Sequence, residues 1–410
     1  MKKQYLLSFI GVLPLAFCIP ALTTHVIDLF HSLTASPSFG WSYGQGDFAE
    51  YWSAFQLCVQ NKNPYSPALM LETQRVFGPR TEPMMMWNPP WLLALFSPLL
   101  AFDFTNSAKV WSVANAVAYL SAAVITLAST ETVQRKRIQL LATCALFTLC
   151  FPPIWMCLKL GQIAGFLTFG LSLFIFGIKH QKRVPLGLSF LFLSLKPHLF
   201  ILVCAFLVWW VVREKRFIWI IPSLSPFLGL IVLTGFIAPH SLTSWIAVIN
   251  NQESITGVLS PNEWITASLL SLATNILFPD DAPLRLNIIQ LLTILSVLAM
   301  FFYLTKSRGP TLTDERISLI TALSVALSPF SWFFDHAVLL VPLILICNAV
   351  LQIKSRQSVF IISLFSMLIA LASYSADRIT FHHELFWFSP MFTLIIIIHM
   401  RQRRSLPTVD

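Results

Sequence analysis

Apolar runs of helical length, separated by short polar breaks, dominate the chain. They predict helices near 5–23, 106–129, 138–158, 163–179, 184–197, 198–212, 217–236, 285–305, 317–333, 336–351, 357–374 and 385–400. Crossing the hydrocarbon of a bilayer takes roughly 20 apolar residues as helix. Several of these runs reach that length, so the expected architecture is an all-α polytopic membrane protein of about 11–13 transmembrane helices. A membrane barrel would show alternating segments of roughly 10 residues instead, and none is visible. Two apolar stretches break the regular order: 87–102, "WNPPWLLALFSPLLAF", and 264–278. Either one, crossing fully, would invert everything after it. They are re-entrant or interfacial, or the orientation rule fails locally.

Charge orients this pattern. Of 410 residues, 56% are hydrophobic and only 11% charged. Basic clusters punctuate the runs at Lys2/Lys3, Arg135–Arg137, Lys179–Arg183, Arg213–Arg216, Lys306–Arg316, Lys354/Arg356 and Arg401–Arg404. Lys and Arg accumulate in cytoplasmic loops, which puts these clusters and both termini inside. Acidic residues are few in those loops: Glu131, Glu214, Asp314, Glu315 and Asp410. The net charge of +9 therefore reports orientation, not a nucleic-acid partner. The start, "MKKQYLLSFIGVLPLAFCIPA", has a basic end and an apolar stretch without a convincing cleavage site, and reads as a retained signal anchor. Seven cysteines lie mostly in apolar runs, with Cys58 alone in a loop and no CxxC. Residues 1–410 read as one integral membrane domain with two long outer segments, 24–86 and 237–284. No internal repeat stands out, which weighs against a repeat-built transporter.

The outer face carries the candidate chemistry. In "GDFAEYWSAF" (46–55) two carboxylates, Asp47 and Glu50, precede a helical stripe of Phe48, Trp52, Phe55 and Val59. Such a helix suits the membrane surface, and Asp-x-x-Glu also has capping-box spacing. A second short helix is expected over 68–77 after the break "NKNPYSP". Further polar groups fall at outer helix junctions: Lys159 and Gln162 in "KLGQ", Lys196 and His198 in "SLKPHLF", Trp332, Asp335 and His336 in "SPFSWFFDHAVLLVP", and Asp377, His382 and His383 in "SADRITFHHE". Lys159 reads as a lysine reaching to the interface. Lys196 sits beside a proline in a short apolar segment, and an ionisable group at membrane depth is a functional candidate.

Known site motifs are missing. His382 and His383 are adjacent and form no metal motif, there is no HExxH, and no Walker loop, GxGxxG or GxSxG occurs. No metal and no cofactor are called for.

Taken in order, "GDFAEYWSAFQLCVQNKNPYSP", "NPPWLLALFSPLLAF", "GQIAGFLTFGLSLFIFGI", "LGLSFLFLSLKPHLFILV" and "SPFSWFFDHAVLLVP" resemble the GT-C glycosyltransferases of family 87, the polyprenol-phosphate-mannose-dependent mannosyltransferase branch. The resemblance spans roughly residues 5–345. It implies a multi-helix membrane fold with interfacial helices in the first outer loop. It also implies a polyprenyl-phosphate-hexose donor, with mannose as the default, used on the periplasmic or exoplasmic side of a cell membrane such as a bacterial inner membrane. The partners it implies are that donor, a glycolipid or glycan acceptor and the bilayer, without nucleic acid. The family's first-loop catalytic aspartate matches Asp47. Asn88 stands where relatives often carry a tyrosine before the paired prolines. On this reading Asp47 is the general base of an inverting transfer and Glu50 supports it. Lys196, His198 and His336 meet the donor phosphate, and Trp52, Tyr65, Gln162, Trp332 and Asp335 contact substrate. A transporter or flippase for lipid-linked sugars, another lipid-linked-glycan enzyme and a non-catalytic subunit remain the alternatives.

Overall fold

A computed structural model describes residues 11–34, 44–78, 81–130, 136–250, 268–278, 281–306, 312–352, 355–376, 378 and 382–404. Among these residues there is no strand, and helices account for almost everything. Lipid offers no hydrogen bonds to the backbone, so a spanning segment has to satisfy its own N–H and C=O groups, as a helix does. The protein is an all-α polytopic membrane protein.

Five helices are long and apolar enough to span: Leu13–Thr34, Phe104–Ala128, Leu284–Lys306, Phe333–Leu351 and Arg356–Ala376. Two bent pairs raise the number to seven, Arg137–Cys150 with Pro152–Leu160 at 45° and Ile221–Ile237 with Ser241–Ile249 at 104°. The first bend has a covalent cause. Phe151 precedes a proline, which disfavours helical backbone there, and it sits at φ −81, ψ 103.

Among the described residues that number of spans stands beside the 11–13 helices expected. The other expected helices form but are shorter: Ala164–Lys179, Arg183–Leu193 and Pro197–Arg213, with Asp314–Ala326 and Phe388–Arg404. Trp91–Leu100 is a further short apolar helix. Trp91–Leu100 rises about 15 Å at 1.5 Å per residue, half of a hydrocarbon core of about 30 Å. The 87–102 stretch therefore does not cross. Leu269–Leu277 is shorter still, so neither does the described part of 264–278; residues 264–267 lie outside the described residues. Arg183–Leu193 is similarly short, and the helix breaks at Lys196 before the 3-10 turn Pro197–Phe200.

The Phe333–Leu351 segment is buried along its whole spanning window, whereas Leu13–Thr34 and Leu284–Lys306 are only 17% buried. The central helix is thus sheathed by the others, and the peripheral ones turn Phe17, Phe30 and Phe302 outward. Two polar layers cap the bundle. In one, Lys179 pairs with Asp314 at 2.6 Å, Asn348 donates to the same carboxylate, Lys136 donates to the Leu351 carbonyl, and Arg403 pairs with Glu315. These are the ends that the basic clusters group on one side. The other layer holds Asp47, Gln162, Lys196 and Asp335.

Several expected boundaries change. The first helix runs on to Thr34 rather than stopping at 23, and its start before residue 11 lies outside the described residues. Asp314–Ala326 ends before Ser328–Pro329 instead of reaching 333, and the next span begins with a 3-10 turn at Phe333. Cys58 is not in a loop but buried in the Phe48–Val59 helix. That helix is also packed into the protein. It buries Phe48, Ala49, Tyr51, Ser53, Ala54, Phe55, Leu57 and Cys58 against its neighbours, leaving Val59 exposed. Asp377 and the side chains of His382 and His383 lie outside the described residues. The second short helix forms as expected, over Pro67–Gln74 and Arg75–Phe77.

Candidate active site

A helix C-terminus leaves carbonyls without intrahelical partners. At the end of Pro152–Leu160 two of them are taken by the first outer segment. The Gly44 N–H donates to the Lys159 carbonyl at 2.8 Å, and the Asp47 N–H donates to the Leu160 carbonyl at 2.7 Å. Gly161 follows in the left-handed conformation, φ +79, the usual helix terminator, and its carbonyl accepts the Trp111 indole N–H at 2.8 Å. A β-carbon on Gly161 would run into the Gly44 carbonyl and come within 2.7 Å of Phe48 Cβ. Gly161→Ala is therefore expected to cost about 1–3 kcal/mol through overpacking and backbone strain. Thermal unfolding of the detergent-solubilised variant checks this, and an unchanged midpoint would contradict it.

Asp47 does not cap its own helix. It already has helical backbone, φ −69 and ψ −20, and its side chain makes no capping bond, so the capping-box reading fails. Instead the Gln162 Nε2 amide donates to Asp47 Oδ2 at 2.8 Å. Gln162 Oε1 accepts the Tyr51 hydroxyl at 2.8 Å. The amide orientation follows from the chemistry, because a carboxylate only accepts and must face the NH₂. Tyr51 also hydrogen-bonds Glu50. Removal from water and then the neighbouring Asp47 carboxylate push the Glu50 carboxyl well above its usual range, with Tyr51 and Lys196 acting the other way. The first two effects disfavour a second negative charge beside Asp47.

Lys196 and Asp335 form the second half. The ammonium donates to Asp335 Oδ1 at 2.8 Å, and Asp335 Oδ2 accepts the Trp332 backbone N–H at 3.1 Å. Lys196 is 8% exposed and Asp335 0%. The Pro152–Leu160 helix, whose end binds the Asp47 N–H, packs against the Phe333–Leu339 turn that carries Asp335, which brings the two halves side by side. Asn88 braces the turn. Its amide donates to the Leu195 carbonyl at 3.0 Å, and its own carbonyl accepts the Tyr65 hydroxyl.

Asp47, Glu50, Gln162, Lys196 and Asp335 thus come together. Trp52 is otherwise engaged: its indole donates to the Phe102 carbonyl and its ring packs on Phe77 and Phe104. Tyr65 is buried and spent on Asn88. Trp332 stacks along Phe334, and His198 meets the edge of Phe330. His336 is 0% exposed, lies parallel to Phe388 at 5.9 Å, and has neither ring nitrogen hydrogen-bonded among the described residues. Tyr51 and Asn88 were missed as site residues. Tyr51 follows Glu50 directly, but only the fold turns its hydroxyl toward Gln162.

A polar cluster of this kind in a helical membrane bundle suits a membrane-embedded transferase. Residues 87–329 match the model of glycosyltransferase family 87, and the chain belongs to that family. The match includes Asn88, Gln162, Lys196 and His198, while Asp47, Glu50 and Asp335 fall outside it. No curated protein and no solved structure matches the chain.

Proposed function

We propose that this glycosyltransferase moves a hexose, by default mannose, from a polyprenyl-phosphate donor to a hydroxyl of a lipid or glycan acceptor on the outer face of the cell membrane. The observation that supports this most directly is the way Asp47 is held. Gln162 holds its carboxylate, which makes no cap bond to the helix that follows.

Asp47 takes the proton of the acceptor hydroxyl as that oxygen attacks the anomeric carbon. Donation from a neutral amide orients the carboxylate without protonating it, so it stays a base. Attack opposite the phosphate inverts the anomeric centre, and the leaving phosphate gains charge as the bond breaks. Lys196, held in place by Asp335, is the cation able to stabilise that charge from a low-dielectric position. His198 and His336 lie in the same turn regions but pack against Phe330 and Phe388, so Lys196 carries the phosphate side.

The donor is tested with purified protein and a membrane-lipid extract as acceptor source. Label is expected to transfer from polyprenyl-phosphate-[14C]mannose and not from GDP-[14C]mannose. Transfer from the nucleotide sugar would remove the lipid-linked donor. Label crossing a proteoliposome membrane without any transfer would favour a flippase.

A further inference from the structure

A cavity of about 390 Å³ lies outside the Asp47 cluster, between the first helix, the Pro152–Leu160 helix and the end of Ser355–Ala376. Its wall is amphipathic. Leu22 and Met156 supply apolar surface, while His25, Lys159 and Ser373 supply polar groups. No carboxylate is among the described residues that line it. His25 lies flat on Trp155, ring centroids 5.8 Å apart and planes within 3°, so the first helix leans on the Pro152–Leu160 helix through this contact. Lys159 is exposed and makes no ion pair or side-chain hydrogen bond among the described residues. By contrast, Lys196 is already paired with Asp335.

The shape has a direction. Cys18 and His25 both line the cavity from the first helix, seven residues apart, which is about 10 Å along a helix. His25 and Lys159 mark the end nearer the outer polar layer, because Lys159 directly precedes the Leu160–Gln162 segment that holds Asp47. The Ile19–Thr34 helix has no buried residue, so a chain can leave sideways past it into the bilayer. The volume falls in the range of small-ligand pockets. One cation, an imidazole and the hydroxyls of Thr24 and Ser373 beside an apolar wall complement an anionic head on a hydrocarbon tail.

We infer that this cavity binds the phosphate head of a membrane lipid, with Lys159 and His25 at the phosphate and the hydrocarbon chain leaving beside the first helix. The site is separate from the Lys196–Asp335 turn and does not depend on Asp47 being the base. Being three residues from Gln162, Lys159 places a bound lipid head next to the reaction site, as an entry or waiting position would require.

The test uses the full-length protein in detergent and a diazirine-bearing farnesyl phosphate, with labelled peptides mapped by mass spectrometry. Label is expected on 19–34 and 152–160. Unlabelled farnesyl phosphate should compete it away, whereas farnesol and inorganic phosphate should not. Lys159→Gln should lower it at least tenfold and Lys159→Arg should restore it. The inference is overturned by label confined to 194–200 and 328–336, by equal labelling in Lys159→Gln, by competition from farnesol, or by displacement with inorganic phosphate alone. Labelling needs no sugar. A protein that labels as expected but transfers nothing would count against the proposed reaction and leave this site standing.

Discussion

Asp47→Asn is expected to leave the protein folded and to lower the transfer rate by about 10²–10⁴-fold, the usual contribution of a positioned general base. Asn matches Asp in shape, and its side-chain oxygen can still accept the Gln162 amide that now reaches Asp47 Oδ2. Because Asp47 makes no cap bond to its own helix, the substitution removes no helix cap. The loss should appear in kcat with KM little changed, since the carboxylate takes the proton only as the bond forms. Glu50→Gln is the internal control. Burial and the adjacent Asp47 already favour a protonated Glu50, and a neutral amide should preserve most of the rate. Equal transfer by wild type and Asp47→Asn would reduce Asp47 to a structural residue, and a larger loss in Glu50→Gln would move the base to that position.

The second large effect is on stability. Lys196→Met should destabilise the protein by about 3–5 kcal/mol, because it strands the Asp335 carboxylate in the interior without its cation. Asp335 is 0% exposed, and the Trp332 N–H is its other hydrogen-bond donor among the described residues. Asp335→Leu should fall in the same direction, with an ammonium left unpaired. The double variant Lys196→Met/Asp335→Leu should recover most of the loss, since two apolar groups of similar size replace a buried pair at little cost. It should remain inactive in transfer if Lys196 also serves the leaving phosphate. Thermal unfolding in one detergent, read beside transfer, separates the two roles. Two single variants as stable as wild type would show that the pair is not the closed, dry contact described here.

Much of the architecture was readable from one dimension. Apolar runs report helices because lipid leaves the backbone no other partner, and the basic breaks group the ends that meet around Asp314 and Glu315. Lys196 beside Pro197 marked a helix break in an apolar segment, and the break is there. Where the reading slipped, three-dimensional packing decided. Phe48, Trp52, Phe55 and Val59 form a stripe that fits a bilayer surface, yet the opposite face of that helix, with Tyr51 and Ala54, is also buried, against protein. A hydrophobic pattern records what avoids water, not whether the covering is lipid or another helix. Crossing also depends on length. Residues 87–102 are apolar enough to span, but the helix begins only at Trp91, after Pro89–Pro90, and is over by Leu100.

The sequence alone determined the helical membrane class and marked Asp47, Glu50 and Lys196 as polar positions at helix ends, because composition and spacing act locally along the chain. Only the tertiary structure decided that Asp47 answers to Gln162 and Lys196 to Asp335. Those partners lie 115 and 139 residues apart. Nothing in local propensity links such positions, and the burial that makes each bond count exists only once the helices have packed.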